Sequence, residues 1–278
     1  MVSRPFSGSD TFSGKAVAVP RYSTPMGRVQ SSVIDVILKE CTPSPGIEVL
    51  DVRIGPYWTV VRSSGGAGMA STMAGSFDRR TGVPVEAAGG LLDLGLGALV
   101  QLLRSSSVPE AAVGLAAVNS LTDVSGMVVA DLNAREVLKD KGRDKAVAII
   151  GRFPFVEEIR AVSRELWVFE KGAGRRADDL GPEHVAGVLP HAEVVAISAT
   201  TLINHTLDDI LHFISPQAFT LMLGPSTPMM PCLFDFGIDL VCGSVIEDAA
   251  AVIKAVEQGA VTRQISGVRR VTLHKADK

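Results

Sequence analysis

Cysteine is scarce in this chain: Cys41, Cys232 and Cys242 are far apart and odd in number. A disulfide framework needs an even, closely patterned set, so none is expected, and the cytoplasm is the default compartment. Charge of one sign is lacking as well. The 27 basic and 30 acidic residues leave a net charge of −3 with no long run of either, which removes the electrostatic footprint of a nucleic-acid binder. No apolar stretch reaches the roughly 18 residues of a membrane span, and the opening Met1–Asp10 has one arginine with no apolar segment behind it. Neither export nor membrane insertion is expected. Histidine and cysteine form no C-x-x-C, no H-E-x-x-H and no compact cluster, so no tightly bound metal is expected. His205 and His212 would lie on opposite sides of a helix start and its second turn, unsuited to sharing a metal. The absence of G-x-S-x-G leaves no recognisable Ser-His-acid set. Aromatic residues are 5 % against 27 glycines, so the core must rely on small side chains and close helix–sheet packing.

What is present supports two domains, since 278 residues with 46 % hydrophobic content exceed one typical domain. Residues 1–25, rich in Ser, Gly and Pro with a short apolar run at Ala16–Val19, read as a leader or an edge strand. Apolar residues between Arg28 and Cys41 recur near a helical period. Ile47–Ile54 and Trp58–Val61, separated by Gly55-Pro56, read as a β-hairpin. A glycine-rich stretch, Ser64–Thr72, follows. Two helices come next, at Leu91–Arg104 and from about Val108, the second with a capping box in Ser107-x-x-Glu110. A sheet followed by helices describes an α+β domain over 26–130.

Asn133-x-x-Glu136 opens a further capped helix, with Leu132 and Val137 as a hydrophobic staple and Gly142 as its stop. Apolar runs then alternate with helical or loop segments: Ala146–Ile150, Leu166–Phe169, Val194–Ile197, Phe219–Leu223 and Ile238–Val241. That alternation is the signature of a mainly parallel, Rossmann-like sheet covered on both faces, over 131–278. Two later helices are expected to start at Thr206-x-x-Asp209 and Ser244-x-x-Glu247, the second ending at Gly259.

Ligands of open parallel sheets bind beyond the carboxyl ends of the strands, so the loops there hold the candidate residues. After the first strand comes Gly151-Arg-Phe-Pro-Phe155, in the position of a phosphate-binding turn but without G-x-G-x-x-G. Gly151, Phe153 and Pro154 suit a rigid apolar wall better than an anion cradle. Glu170 ends the next strand about 20 residues further on, where Rossmann-type proteins place an acid against ribose hydroxyls. An exposed or capping role is its structural alternative. Ser198-Ala-Thr-Thr201-Leu-Ile-Asn204 leads from a buried strand into a helix, and its Thr201 and Asn204 could satisfy backbone donors or bind an anionic or carboxamide group. The last loop, Gly224-Pro-Ser-Thr-Pro-Met-Met-Pro231, uses three prolines to hold Ser226, Thr227, Pro228 and Met229 rigidly at the strand end. Cys232 and Cys242 read as small buried hydrophobes.

Several of these segments, Val113-Gly-Leu-Ala-Ala-Val-Asn119-Ser-Leu121, Gly151-Arg-Phe-Pro154, Val168-Phe-Glu170, Thr200-Thr-Leu-Ile-Asn204-His-Thr206-Leu and Leu223-Gly-Pro-Ser-Thr-Pro-Met229, resemble the heavy-metal-chelation family. The resemblance covers most of residues 28–260. It implies an N-terminal domain like that of enolase, a Rossmann-like C-terminal domain, and a site in the cleft between them. It adds Asn119 to the candidates, and His205, which stands where the family often has glycine. A helix C-cap is the structural alternative for Asn119.

Two functions fit this pattern. One is a small-molecule-metabolising enzyme, a transferase or lyase, holding an adenosine-type ligand such as S-adenosylmethionine, in metal-chelator or natural-product biosynthesis. Glu170 and the absent diphosphate fingerprint favour a nucleoside over NAD. The other is a non-catalytic binding protein for a metal–chelate complex. A scaffold with purely structural loops ranks behind both. Positive mean hydropathy with few aromatics points to a homo-oligomer.

Overall fold

The computed structural model describes residues 31–73, 75, 83–127, 129–130, 132–171 and 175–274. The expected leader, with Ala16–Val19, lies outside them, as does the start of the first helix at 28–30. That helix, α1 (Val33–Glu40), begins where Ser32 Oγ accepts the Asp35 N–H at 3.1 Å, and it buries Val33, Ile37 and Leu38. Strands β1 (Val49–Ile54) and β2 (Trp58–Ser63) form the expected antiparallel hairpin. The glycine-rich stretch that follows, to which the sequence assigned no element, forms a third strand, β3 (Gly66–Ser71), paired antiparallel with β2.

The reason lies in α3 (Val108–Ser120), a helix buried along nearly all its length. A Cβ at Gly68 would stand 2.2 Å from the Ser120 nitrogen and 2.3 Å from the Ala116 carbonyl oxygen, so only glycine lets the strand and helix backbones touch. Alternate residues of the small sheet then pack opposite ways. Val61 and Ala70 join the α3 core, while Trp58, Val60 and Met69 pack with Val252 and Val256 of α9 (Ala249–Glu257). The N-terminal sheet is thereby clamped between its own helix and one from the C-terminal part.

The helical pattern at Leu91–Arg104 is realised as α2 (Gly95–Gln101) flanked by two 3-10 turns. The capping box at Ser107 does not form: the Ser107 hydroxyl donates to the Pro84 carbonyl, and Glu110 accepts from the Ser105 hydroxyl at 2.5 Å and the Glu86 N–H at 2.9 Å. A short strand, β4 (Val129–Ala130), leads to α4 (Ala134–Lys141), where Asn133 accepts the Arg135 N–H at 3.1 Å. Glu136 turns to Arg135 instead of closing a box, and Leu132 is 45 % exposed, so no staple shields it.

The larger sheet contains β5 (Ala146–Ile150), β6 (Glu165–Phe169), β7 (Val194–Ser198), β8 (Phe219–Leu223), β9 (Leu240–Ile246) and β10 (Val268–His274), in the order β4-β10-β9-β8-β7-β5-β6. From β6 to β9 all neighbours are parallel; β10 and β4 add antiparallel strands at one edge. Ser244 belongs to β9 and not to a helix start; Asp248 caps α9 instead, accepting the Ala251 N–H at 3.0 Å. Val147, Ile149, Val194, Ala196, Leu221 and Leu223 point to the face covered by α4 and α5 (Val156–Arg160). Ala148, Ile150, Val195, Ile197 and Met222 point the other way, into a core shared with α3, α6 (Val185–Val188), α7 (Thr200–Ile203) and α8 (Leu207–Phe213). The molecule is a mixed α/β fold in which the N-terminal part helps to cover one face of a mostly parallel sheet.

Candidate functional site

The five parallel strands run β6-β5-β7-β8-β9, so the chain moves outward from β5 to β6 and then returns past β5 to β7. The helices after β5 and β7 consequently lie on opposite faces, which opens a switch point between these two strand ends, the customary ligand position in such sheets. Gly151, at φ +92°, turns the chain there and donates its N–H to the Phe169 carbonyl at 2.8 Å. A Cβ on it would come within 2.9 Å of the Ser198 Cβ, so the two loops touch across the switch point.

Glu170 stands beside this turn. One carboxylate oxygen accepts the Arg152 N–H at 2.9 Å and the other the Lys171 N–H at 2.7 Å. Each oxygen retains acceptor capacity for a ligand hydroxyl. Phe153 and Phe155 stack with centroids 5.4 Å apart, partly buried on the α4–α5 side, while Pro154 is exposed.

Two residues beside them carry charge that reading the sequence did not single out. Arg152, 13 % exposed at its side chain, places a guanidinium nitrogen 3.4 Å from Oδ1 of Asp179, whose side chain is fully buried. All three guanidinium nitrogens and that Oδ1 are buried without a hydrogen-bond partner. An unmet buried donor costs about 1–3 kcal/mol, and more when charged, so such an arrangement calls for an explanation. The available signal was the position of Arg152 inside the strand-end loop; nothing local marked Asp179.

After β7, Ser198 and Thr200 hydroxyls lie 2.9 Å apart, Thr201 donates to the Ser198 carbonyl at 2.7 Å, and Asn204 accepts the Thr206 hydroxyl at 2.6 Å. Thr206 precedes α8 without capping it through its side chain. His205 is an exposed residue at φ +55°, the left-handed region that favours glycine, and its Nε2 is 2.8 Å from the Leu103 carbonyl oxygen. Its side chain ties the N-terminal part to the α7–α8 turn.

After β8, Asn119 of α3 donates to the Met69 carbonyl at 2.9 Å and the Ser226 carbonyl at 3.1 Å, and Ser226 Oγ accepts the Ser71 N–H at 2.8 Å. Asn119 Oδ1 and Thr227 Oγ1 are buried without partners. Pro228 and Met229 are buried, and a Cβ on Gly243 of β9 would meet Met229 Sδ at 2.5 Å and the Thr227 carbonyl oxygen at 2.6 Å. The twelve candidates therefore form three groups: Gly151, Phe153, Pro154 and Glu170 at the switch point; Thr201, Asn204 and His205 at α7; and Asn119, Ser226, Thr227, Pro228 and Met229 along the seam between β3, α3 and β8. Gly151 and Ser198 join the first two directly. No hydrogen bond among the described residues joins Glu170 to the Asn119 group.

The cysteines are buried. Cys41 Sγ lies 3.7 Å from Met230 Sδ, and burial pushes the thiols of Cys41 and Cys242 up to about 11 and that of Cys232 to about 12, with the Glu40 charge adding to the first and last. Among the described residues no three His, Cys, Asp or Glu side chains gather as a metal site. Elemental analysis of protein purified without chelators should accordingly find zinc and iron well below one atom per chain. Close to one atom, lost on replacing a cysteine or histidine, would contradict this. No helix among the described residues is long and apolar enough to cross a membrane. A separate depression of about 210 Å³, lined by Leu211, Ile214, Pro216 and Phe236 and by none of the candidate residues, lies by the amino ends of β8 and β9.

Fold and site together define a two-part α/β protein whose Rossmann-like sheet carries polar loops at its carboxyl edge. The chain belongs to the DUF364 family, described as "Putative heavy-metal chelation", whose model matches residues 133–275; the model of a second family of the same description, DUF4213, matches residues 34–122. A crystal structure of a protein of unknown function from that first family, from Desulfitobacterium hafniense DCB-2, superposes with a TM-score of 0.73 at 23 % identity, covering 87 % of this chain and 97 % of the other. Another of unknown function, from Pyrococcus horikoshii, gives 0.70 at 19 % identity, with 87 % and 98 % covered. An uncharacterized protein of Methanocaldococcus jannaschii is 27 % identical over 154 residues, 54 % of this chain; the match spans 60 % of that relative's length.

Proposed function

We propose that the protein binds a small organic molecule at the β5–β7 switch point, with Glu170 as the polar group that selects it. The carrying observation is the position of the Glu170 carboxylate at the end of β6, held against the Gly151–Arg152 turn by backbone N–H groups while keeping acceptor capacity free. An adenosine-type ligand such as S-adenosylmethionine suits this arrangement, since ribose hydroxyls are the usual partners of an acid so placed. Transfer or lyase chemistry on that ligand is the corresponding enzymatic reading. The family description favours a second: the ligand is a metal–chelate complex, in which the chelate supplies the donor atoms that the described residues do not gather.

Thermal shift with adenosine, S-adenosylmethionine, NAD, ferric citrate and nickel–EDTA separates the two, because native-state binding raises stability by about 2.7 kcal/mol at a hundredfold excess over Kd. Adenosine and S-adenosylmethionine should stabilise the protein and NAD should not. Titration calorimetry should then show Glu170→Gln weakening the nucleoside about tenfold to a hundredfold, at about 1.4 kcal/mol per decade. A response confined to the metal chelates would reject the nucleoside reading in favour of the second, and no response to any of the five would reject both.

A further inference from the structure

We infer that Arg152 is the anchor for an oxyanion, a carboxylate or phosphate, on the bound molecule, and that Asp179 is the positioning residue that holds its guanidinium. The inference rests on the reading that the switch-point loops form the ligand site, and it names the chemical class that the site takes. Arg152 follows β5 by two residues, and its own N–H is fixed by Glu170. Its guanidinium is a planar fork of five N–H donors, suited to grip a carboxylate or phosphate with two parallel bonds. Asp179 Oδ1 at 3.4 Å neutralises the charge without making a hydrogen bond, and its Oδ2 is occupied by the Arg176 N–H at 2.8 Å. Asp178 reaches Arg152 only at 4.0 Å and is bound more closely by Arg160, at 3.0 Å. The guanidinium is thus held in place with its donors unmet, the state that an incoming oxyanion would complete.

These nitrogens are sealed from solvent, so the anion reaches them when the exposed residues Arg175–Asp178 move aside, with Asp179 staying against the guanidinium. That stretch is tied to the rest of the protein by surface ion pairs, Asp178 to Arg160 at 3.0 Å, Arg176 to Glu157 at 3.5 Å and Arg175 to Glu183 at 3.9 Å, whereas Leu180 is fixed to β6 by two backbone bonds, to the Val168 carbonyl at 2.8 Å and from the Glu170 N–H at 3.1 Å. A merely structural Arg152 would pin this segment to the β5 turn and show no preference among anions.

The test is thermal shift of the full chain in potassium phosphate, potassium citrate and potassium chloride at matched ionic strength, on the wild type, Arg152→Lys and Arg152→Gln. Phosphate and citrate also stabilise proteins generally, through exclusion from their surfaces, so the difference between wild type and variant is decisive. Phosphate or citrate should give the wild type a saturable stabilisation beyond chloride, whose half-saturating concentration rises about tenfold or more in Arg152→Lys. In Arg152→Gln the saturable part should vanish. Equal responses in wild type and both variants, or a wild type that does not distinguish phosphate and citrate from chloride, would overturn the inference. Should Arg152→Gln not fold, Arg152→Lys decides, since it keeps the charge and removes the fork. Adenosine titrated into the same proteins separates the two readings. Adenosine binding without the anion response defeats only the role of Arg152, and the anion response without adenosine binding defeats only the nucleoside ligand.

Discussion

Replacing Gly114 with alanine is expected to destabilise the protein by about 3 kcal/mol or more, at the upper end of what overpacking a core costs. In an ordinary helix interior the same change stabilises by about 1 kcal/mol, because glycine is a poor helix former. At Gly114 the sign reverses. A Cβ there would lie 2.0 Å from the Leu103 nitrogen and 2.6 Å from the Leu102 carbonyl carbon and the Leu103 Cα, and backbone atoms cannot rotate aside. Urea unfolding should show a lowered midpoint, with a fall in Tm of roughly 6–12 °C at about 2–4 °C per kcal/mol. Gly97→Ala on α2 is the control, since no atom beyond its chain neighbours and its own helix backbone lies within 4 Å of its Cβ position; it should be neutral or stabilising. A Gly114→Ala protein as stable as the wild type would show that α3 does not pack on Leu102–Arg104 at backbone distance.

Above pH 9 the protein should lose stability steeply because of its three buried thiols. Burial raises each above its ordinary 9.0, to about 11 for Cys41 and Cys242 and about 12 for Cys232. The sign follows from proton counting. Between pH 9 and 11 the unfolded chain has released these protons while the native state keeps them, so stability falls with rising pH by up to about 1.4 kcal/mol per unit for each thiol. Below pH 9 the contribution is fully present. Unfolding free energies at successive pH values should show this decline, and replacing the three cysteines with alanine should flatten it, whatever the effect on absolute stability. An unchanged slope in the triple variant would mean that the thiols are solvated. Native protein at pH 8 should likewise react slowly with a thiol reagent and completely once unfolded, since the thiolate is the reactive form.

The parallel strands were legible because burial on both faces leaves short apolar runs with few alternatives: Ala146–Ile150 and Phe219–Leu223 coincide with β5 and β8. The caps were legible less reliably. Asn133 does cap α4, whereas Ser107 and Glu110 find partners at Pro84, Ser105 and Glu86 that no local pattern announces. β3 was hidden because its glycines answer to α3, about fifty residues away in sequence, and glycine on its own signals a loop. β10 was hidden at the margin, where its pairing with β9 and β4 makes it a strand.

For the site, the sequence by itself settled which segments end strands, and so it selected Gly151, Glu170, Thr201 and Ser226 as residues at or just beyond those ends. Tertiary structure decided what each side chain does there. It gave Asn119 and Ser226 to the seam with β3, turned His205 toward Leu103, and set the buried guanidinium of Arg152 against Asp179 beside Glu170. The division has a physical cause. Strand formation follows from local hydrophobic pattern, but a polar side chain in a loop takes whichever donor or acceptor the packing of distant segments brings within about 3 Å, and that choice is written in no single stretch of chain.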